Sequence, residues 1–150
     1  MAEQFDWVIS DGMIVYPEKT IRGDLGIRQG KIARIGKPGR LKGNETIDAG
    51  GRYVLPGVID PHTHPVYMDS IEDLAVTAAW GGVTTVCHYA YAKPGQSLLK
   101  VIQDWKKEGA ETSCIDFALH GGLFETKKQV DEIPAAFKEG VTSFKMFMAY

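Results

Sequence analysis

Apolar residues in the first part of the chain come in short runs that glycine or proline closes: DWVISDG, MIVYP, GDLGIRQG, KIARIG and ETIDAGGRYVLPG. Runs of β-formers bounded in this way predict strands, and no 3.6-residue period interrupts them. RQGK, lying between LGI and IARIG, predicts a tight hairpin in which Gly30 supplies a positive φ. Residues 1–54 therefore read as an all-β module of about five or six strands.

From Tyr53 onward the pattern becomes strand, then helix, repeated. YVLPGVID is apolar up to Asp60, and DSIEDLAVTAAWGG then places Ile71, Leu74, Ala75 and Ala78 on one helical face. Asp69 or Ser70 can cap the start of that helix, and Gly81 can end it. VTTVCHYAY is the next strand, and SLLKVIQDWKKEGA follows with a stripe of Leu98, Leu99, Val101, Ile102 and Trp105. TSCIDFALHGG gives a third strand, TKKQVDEIPAAFKEG a third helical segment and VTSFKMFM a fourth strand. A proline costs about 3 kcal/mol in a helix interior, so Pro134 is expected to start a second short helix. Helices between successive strands predict parallel pairing.

Four such units occupy residues 55–150, whereas a complete (β/α)8 barrel takes about 250 residues. A small open sheet would leave its fourth strand uncovered at the edge. The expected fold class is therefore α/β: an all-β module over 1–54, then four βα units over 55–150 that read as the first half of a truncated barrel or as a small open α/β sheet.

Composition adds exclusions. A formal net charge of −2 over 150 residues gives no electrostatic reason to expect nucleic acid or an anionic membrane as partner. No apolar run approaches the ~20 residues of a membrane span, and the N-terminal MAEQFDWVIS is acidic before its apolar part. Cys87 and Cys114 show neither metal-type pairing nor a disulfide framework. A cytoplasmic protein is the expectation.

Two stretches carry candidate chemistry. In DPHTH, His62 and His64 lie two residues apart, so on an extended strand their rings share a face and suit a common metal centre. The same residues after a proline also suit a solvated turn. In GVTSFKMFMAY, Lys145 interrupts an apolar run, although a desolvated ammonium is costly. On the residues alone Lys145 is a side chain that snorkels out of a strand end.

DAGGRYVLPGVIDPHTH, GGVTTV, PGQSL, IDFALHGG and EGVTSFKMFMAY, in this order and spacing, resemble the cyclic amidohydrolases, within them the dihydropyrimidinases and D-hydantoinases. The resemblance runs along essentially the whole chain. It implies a β-sandwich and a metal-dependent hydrolase (β/α)8 barrel that holds two divalent metal ions, usually Zn2+. His62 and His64 fall on the HxH ligands of one metal. Lys145 falls on a lysine that CO2 converts to a carbamate bridging both ions, and Tyr150 on a tyrosine that stabilises the oxyanion. Two further histidines and a catalytic aspartate are implied beyond residue 150. Burial disfavours the charged form of a lysine, and the free amine can add CO2 to give two anionic ligand oxygens.

The implied reaction is hydrolysis of a cyclic amide: ring opening of a hydantoin or dihydropyrimidine to an N-carbamoyl amino acid by a metal-bridging hydroxide. The implied partners are a small cyclic amide or ureide substrate and further copies of the chain, as a dimer or tetramer. The competing expectation is a non-catalytic, dihydropyrimidinase-like oligomeric scaffold. This chain by itself is expected to be inactive.

Asp60 shares the strand parity of the two histidines and is a candidate to orient a ligand; His120, at the end of the third strand, is a candidate to line the site. His88 stands where the resembled enzymes usually have an acidic residue. PVYMDS after His64 is shorter than their pocket-lining loop. Pro65 cannot serve as the arginine of dihydroorotases. Trp80, Trp105 and both cysteines are expected to pack.

Overall fold

The computed structural model describes residues 3–65 and 69–148. Contacts divide the chain into two units, Met1–Pro56 and Gly57–Tyr150. The first is a five-stranded sheet of β1 (Gln4–Val15), β2 (Thr20–Arg28), β3 (Lys31–Gly36), β4 (Lys42–Asp48) and β5 (Tyr53–Val54). Its order is β3-β2-β1-β4, with β5 also paired to β1. β1 runs antiparallel to β2 and parallel to β4 and β5. The turn between β2 and β3 has Gln29 at φ 51° and Gly30 at φ 70°, the positive pair that a tight two-residue hairpin requires.

DWVISDG and MIVYP were expected as two strands, but they form one. Asp11, at φ 52°, makes a bulge instead of a turn, with a shift in register between Ile9 and Gly12. Asp24 holds that bulge from within. Its fully buried carboxylate accepts N–H groups from Asp11 (3.0 Å), Arg40 (2.9 Å) and Leu41 (3.2 Å). Phe5, Val8, Ile14 and Leu25 form the apolar core of this sheet.

The second unit alternates β6 (Val58–Thr63), α1 (Ile71–Trp80), β7 (Val83–Ala92), α2 (Leu98–Thr112) and β8 (Asp116–Leu123). It continues through α3 (Thr126–Gln129), a 3-10 turn (Val130–Glu132), α4 (Ile133–Lys138) and β9 (Phe144–Met146). The sheet order β6-β7-β8-β9 is parallel throughout, which makes a curled half-barrel. Ser70 caps α1: its hydroxyl accepts the Asp73 N–H at 3.0 Å, and the Asp73 carboxylate answers to the Ser70 N–H at 3.4 Å. Pro134 sits in the first turn of α4, where its missing N–H costs nothing.

One face of the sheet is packed under helices. Ala90, Ala92 and Leu123 join Leu98 and Ile102 of α2, Ala136 of α4 and Val141 in a buried cluster. β9 is shorter than the apolar run VTSFKMFM, because the Val141 N–H closes on the Ala136 carbonyl at 3.2 Å to finish α4 before the strand begins. Trp105 packs against the cluster as expected, but Trp80 is 88% exposed. Trp80 lies nine residues after the buried Ile71, about two and a half turns, and so emerges on the opposite face of α1. Cys114 is also exposed. No helix among the described residues is long and apolar enough to cross a membrane.

Candidate metal centre

Period two decides which side chains reach the open face of the half-barrel. In β7 every second residue from Val86 to Ala92 is buried beneath the helices, so Tyr89 and Tyr91 project the other way. In β6 the buried residue is Thr63, which leaves His62 and His64 on the open side at the strand's C-terminal end.

There the two histidines meet. Their Nε2 atoms are 2.9 Å apart, with ring planes at 78°. Two imidazole nitrogens at that separation share one proton, and a pair of lone pairs converging on a proton is also fit to converge on a cation. Burial, with the neighbouring His62 and Lys145 adding, holds the His64 pKa below the usual histidine value and favours the neutral ligand form. The Tyr91 hydroxyl lies 2.9 Å from His64 Nδ1, the far side of the ring.

Lys145 completes the group from β9. Its Nζ donates to the Tyr91 hydroxyl at 3.4 Å and lies over the rings of Tyr89 (4.9 Å), Phe147 (5.2 Å) and Tyr91 (5.9 Å). Among the described residues it has no carboxylate in ion-pair range. Its amine is thus held among aromatic faces beside a histidine pair.

A glycine makes this meeting possible. Tyr91 is in register with Gly122 of β8, and Gly122 with Lys145 of β9. A Cβ on Gly122 would stand 2.2 Å from Tyr91 Cδ1, so only the absence of a side chain there lets the tyrosine lean across β8 toward Lys145.

The remaining candidates hold backbone. Asp60 Oδ1 accepts the His62 N–H at 3.0 Å. His120 donates from Nε2 to the Pro61 carbonyl at 3.0 Å and accepts the Ser143 hydroxyl on Nδ1, so one ring joins β6, β8 and the approach to β9. The Tyr89 ring stacks between His120 (4.6 Å), His62 (4.7 Å) and His64 (5.1 Å). Tyr150 lies outside the described residues, as does the stretch 66–68 of the shortened loop.

An open pocket of about 940 Å3 adjoins the group, lined among others by His64, Tyr91, Trp105, Phe124, Lys145 and Phe147. Its mouth is bounded by the segment from Lys93 to Gln96. Gln129, almost fully buried, clamps that segment: Nε2 donates to the carbonyls of Ala92, Lys93 and Gln96, and Oε1 accepts the Glu125 N–H at 2.9 Å.

Among the described residues no three His, Cys, Asp or Glu side chains come close enough to hold a metal together. The donor set here is two imidazoles and one lysine amine, which fits a metal on its histidine side and needs the amine converted to an anion on the other. Tyr89, Tyr91 and Gly122 were not foreseen. The alternation of VCHYAYA, set in parallel beside DPHTH, is the signal that could have found the two tyrosines.

No family model matches the chain. It is 40% identical over 152 residues to the D-hydantoinase of Geobacillus stearothermophilus, covering 95% of this chain and 32% of that protein. It is 31% identical over 164 residues to the dihydropyrimidinase of Rattus norvegicus, covering 100% of this chain and 32% of that one. A solved D-hydantoinase structure superposes with a TM-score of 0.88 at 38% identity, over 97% of this chain and 34% of that one. The solved L-hydantoinase of Arthrobacter aurescens gives 0.85 at 31% identity, over 97% and 34%. The chain therefore spans about one third of the length of the relatives it matches.

Proposed function

We propose, with kinship to the N-terminal part of the cyclic amidohydrolases of dihydropyrimidinase and D-hydantoinase type as premise, that this chain carries the first half of a metal-dependent ring-opening site. The substrate is a hydantoin, a dihydropyrimidine or a related cyclic amide, and the product is an N-carbamoyl amino acid. The observation that carries the reading is the convergence of His62, His64 and Lys145, with Tyr91 between the last two, at the C-terminal ends of parallel strands. The reaction class comes from the relatives, a D-hydantoinase and a dihydropyrimidinase.

In this reading the Nε2 atoms of His62 and His64 would hold one divalent cation, and Asp60 keeps the backbone of the first histidine in place. Tyr91 turns the His64 ring by its contact with Nδ1. The uncharged form of the Lys145 amine could attack the carbon of CO2 and release a proton to solvent, and the resulting carbamate would offer two anionic oxygens to hold that cation and a second one. When bound, those cations, zinc in this reading, supply Lewis acidity and a hydroxide nucleophile at neutral pH. Tyr150 donates a hydrogen bond to the oxygen that becomes negative as the carbonyl is attacked. The aromatic side of the pocket, Tyr91, Trp105, Phe124 and Phe147, offers an apolar surface to the ring being opened. Further ligands and the catalytic aspartate come from outside this sequence, and so the 150-residue chain alone does not turn over substrate.

The full-length protein is a cytoplasmic homo-oligomer in this account. A non-catalytic scaffold would have no use for two converging imidazoles beside a lysine held among aromatic rings. The test is ring opening of hydantoin and of dihydrouracil by the full-length protein, before and after chelation. Activity lost to the chelator and restored by zinc is expected. Turnover indifferent to chelation would overturn the metal reading, and no ring opening of either substrate would overturn the reaction class.

A further inference from the structure

Directly behind the two candidate ligands lies a buried histidine that the proposed reaction does not use. His88 of β7 is fully buried and stands opposite Thr63 in the parallel ladder. The Thr63 hydroxyl lies 3.0 Å from the Cys87 carbonyl and 2.7 Å from His88 Nδ1. A carbonyl can only accept, so the single hydroxyl proton goes to Cys87, and His88 must donate from Nδ1 to the hydroxyl oxygen. This fixes the neutral Nδ1–H tautomer and leaves Nε2 as a buried acceptor without a partner among the described residues. Burial also keeps the ring neutral, with Asp60 opposing more weakly.

An orphaned ring nitrogen in the apolar layer is a cost, and an isosteric apolar residue would avoid it. The return for that cost lies at Thr63. This residue sits between His62 and His64, with its side chain on the opposite face of β6, and the ladder leading up to it is irregular, shifting register between Asp60 and Thr63. The hydroxyl's two bonds therefore add a side-chain tie from β6 to β7, beside the ladder pair, at the point where the two ligand rings leave one backbone. Phe117, stacked 6.5 Å from the His88 ring, backs it on the other side and itself packs against Gly109 of α2.

We infer that His88 is a positioning residue: through Thr63 it sets the convergence of His62 and His64, and hence the affinity of the full-length protein for its metal. The inference rests on the metal reading above, and its test separates the two. In full-length protein labelled with nitrogen-15 at histidine, His88, identified by loss of its signals in H88N, should appear as the neutral Nδ1–H tautomer. An Nε2–H tautomer or an imidazolium would overturn the inference whether or not metal binds.

In H88L the donor to Thr63 is gone along with the orphaned nitrogen. The unfolding temperature should hold or rise, while zinc retention against a chelating indicator falls about 10- to 100-fold. H88N, whose side-chain amide can still donate from the Nδ1 position, should keep most of the zinc affinity. A residue that is merely structural would give the reverse pattern, with a lower melting temperature and unchanged zinc retention, and that result would overturn the inference. If the parent protein retains no zinc, the metal reading fails; the His62 and His64 ring signals then decide alone, shifting in H88L if the inference holds and staying in place if it does not.

Discussion

Replacing Gly122 by alanine puts one methyl group where the structure leaves no room. The added Cβ would lie 2.2 Å from Tyr91 Cδ1 and 2.7 Å from Cε1. Carbon atoms rest at about 3.5–4.0 Å, so the ring must withdraw by more than about 1 Å. Its hydroxyl is 2.9 Å from His64 Nδ1 and 3.4 Å from Lys145 Nζ, and a shift of that size takes both contacts out of hydrogen-bond range. Overpacking costs about 1–3 kcal/mol, and loss of the bond to His64 adds about 1 kcal/mol, the 3.4 Å contact to Lys145 being too long to add much. G122A should thus lower the unfolding free energy of the full-length protein by about 2–4 kcal/mol in denaturant titration. Ring opening should fall by about tenfold or more, since 1.4 kcal/mol of lost positioning suffices for that. The cycle with Y91A isolates the cause. In a Y91A background the clash is gone, and G122A should cost less than about 0.5 kcal/mol. If G122A costs the same in both backgrounds, the account of Gly122 as the gap that Tyr91 crosses is refuted.

Q129L removes the clamp on the segment from Lys93 to Gln96 at nearly constant volume; hydrogen exchange at Glu125 should quicken and KM rise more than kcat falls, whereas unchanged exchange would contradict the clamp. Asp24 titrates in the first sheet. Its backbone N–H partners outweigh burial, the largest single influence, and hold its pKa below the usual aspartate value, so its stabilisation is complete above about pH 4 and is lost as pH falls through the depressed value. D24A, which leaves three part-buried N–H groups without this acceptor, should cost about 2–4 kcal/mol at pH 7 and flatten the acid limb of the stability profile; a parallel downward shift at every pH would contradict that role.

The alternation of strand and helix from Tyr53 onward was legible because buried parallel strands and amphipathic helices have different periods, and because Ser70, Gly81 and Pro134 punctuate them. The continuity of β1 was not. Asp11-Gly12 reads as a turn, and only the distant carboxylate of Asp24 makes it a bulge. The exposure of Trp80 follows from its phase on α1 relative to the buried Ile71, which its aromatic character alone does not reveal. At the site, strand parity alone put His62 and His64 on one face, while Lys145 needed the family resemblance to become more than a snorkelling side chain. Tyr91 and Gly122 depend on register across three strands, which no single run of residues encodes. The role of Thr63 was hidden for the opposite reason: it stands between two conspicuous histidines but acts on the other side of the sheet.

The central claim is that His62, His64 and Lys145 are ligands of one metal centre. Anomalous diffraction at the zinc edge from crystals of the full-length protein tests it most directly. The account predicts an anomalous peak between the two Nε2 atoms and density for a carbamate continuing from Lys145 Nζ. A zinc-replete crystal with no peak there and a bare lysine would contradict it.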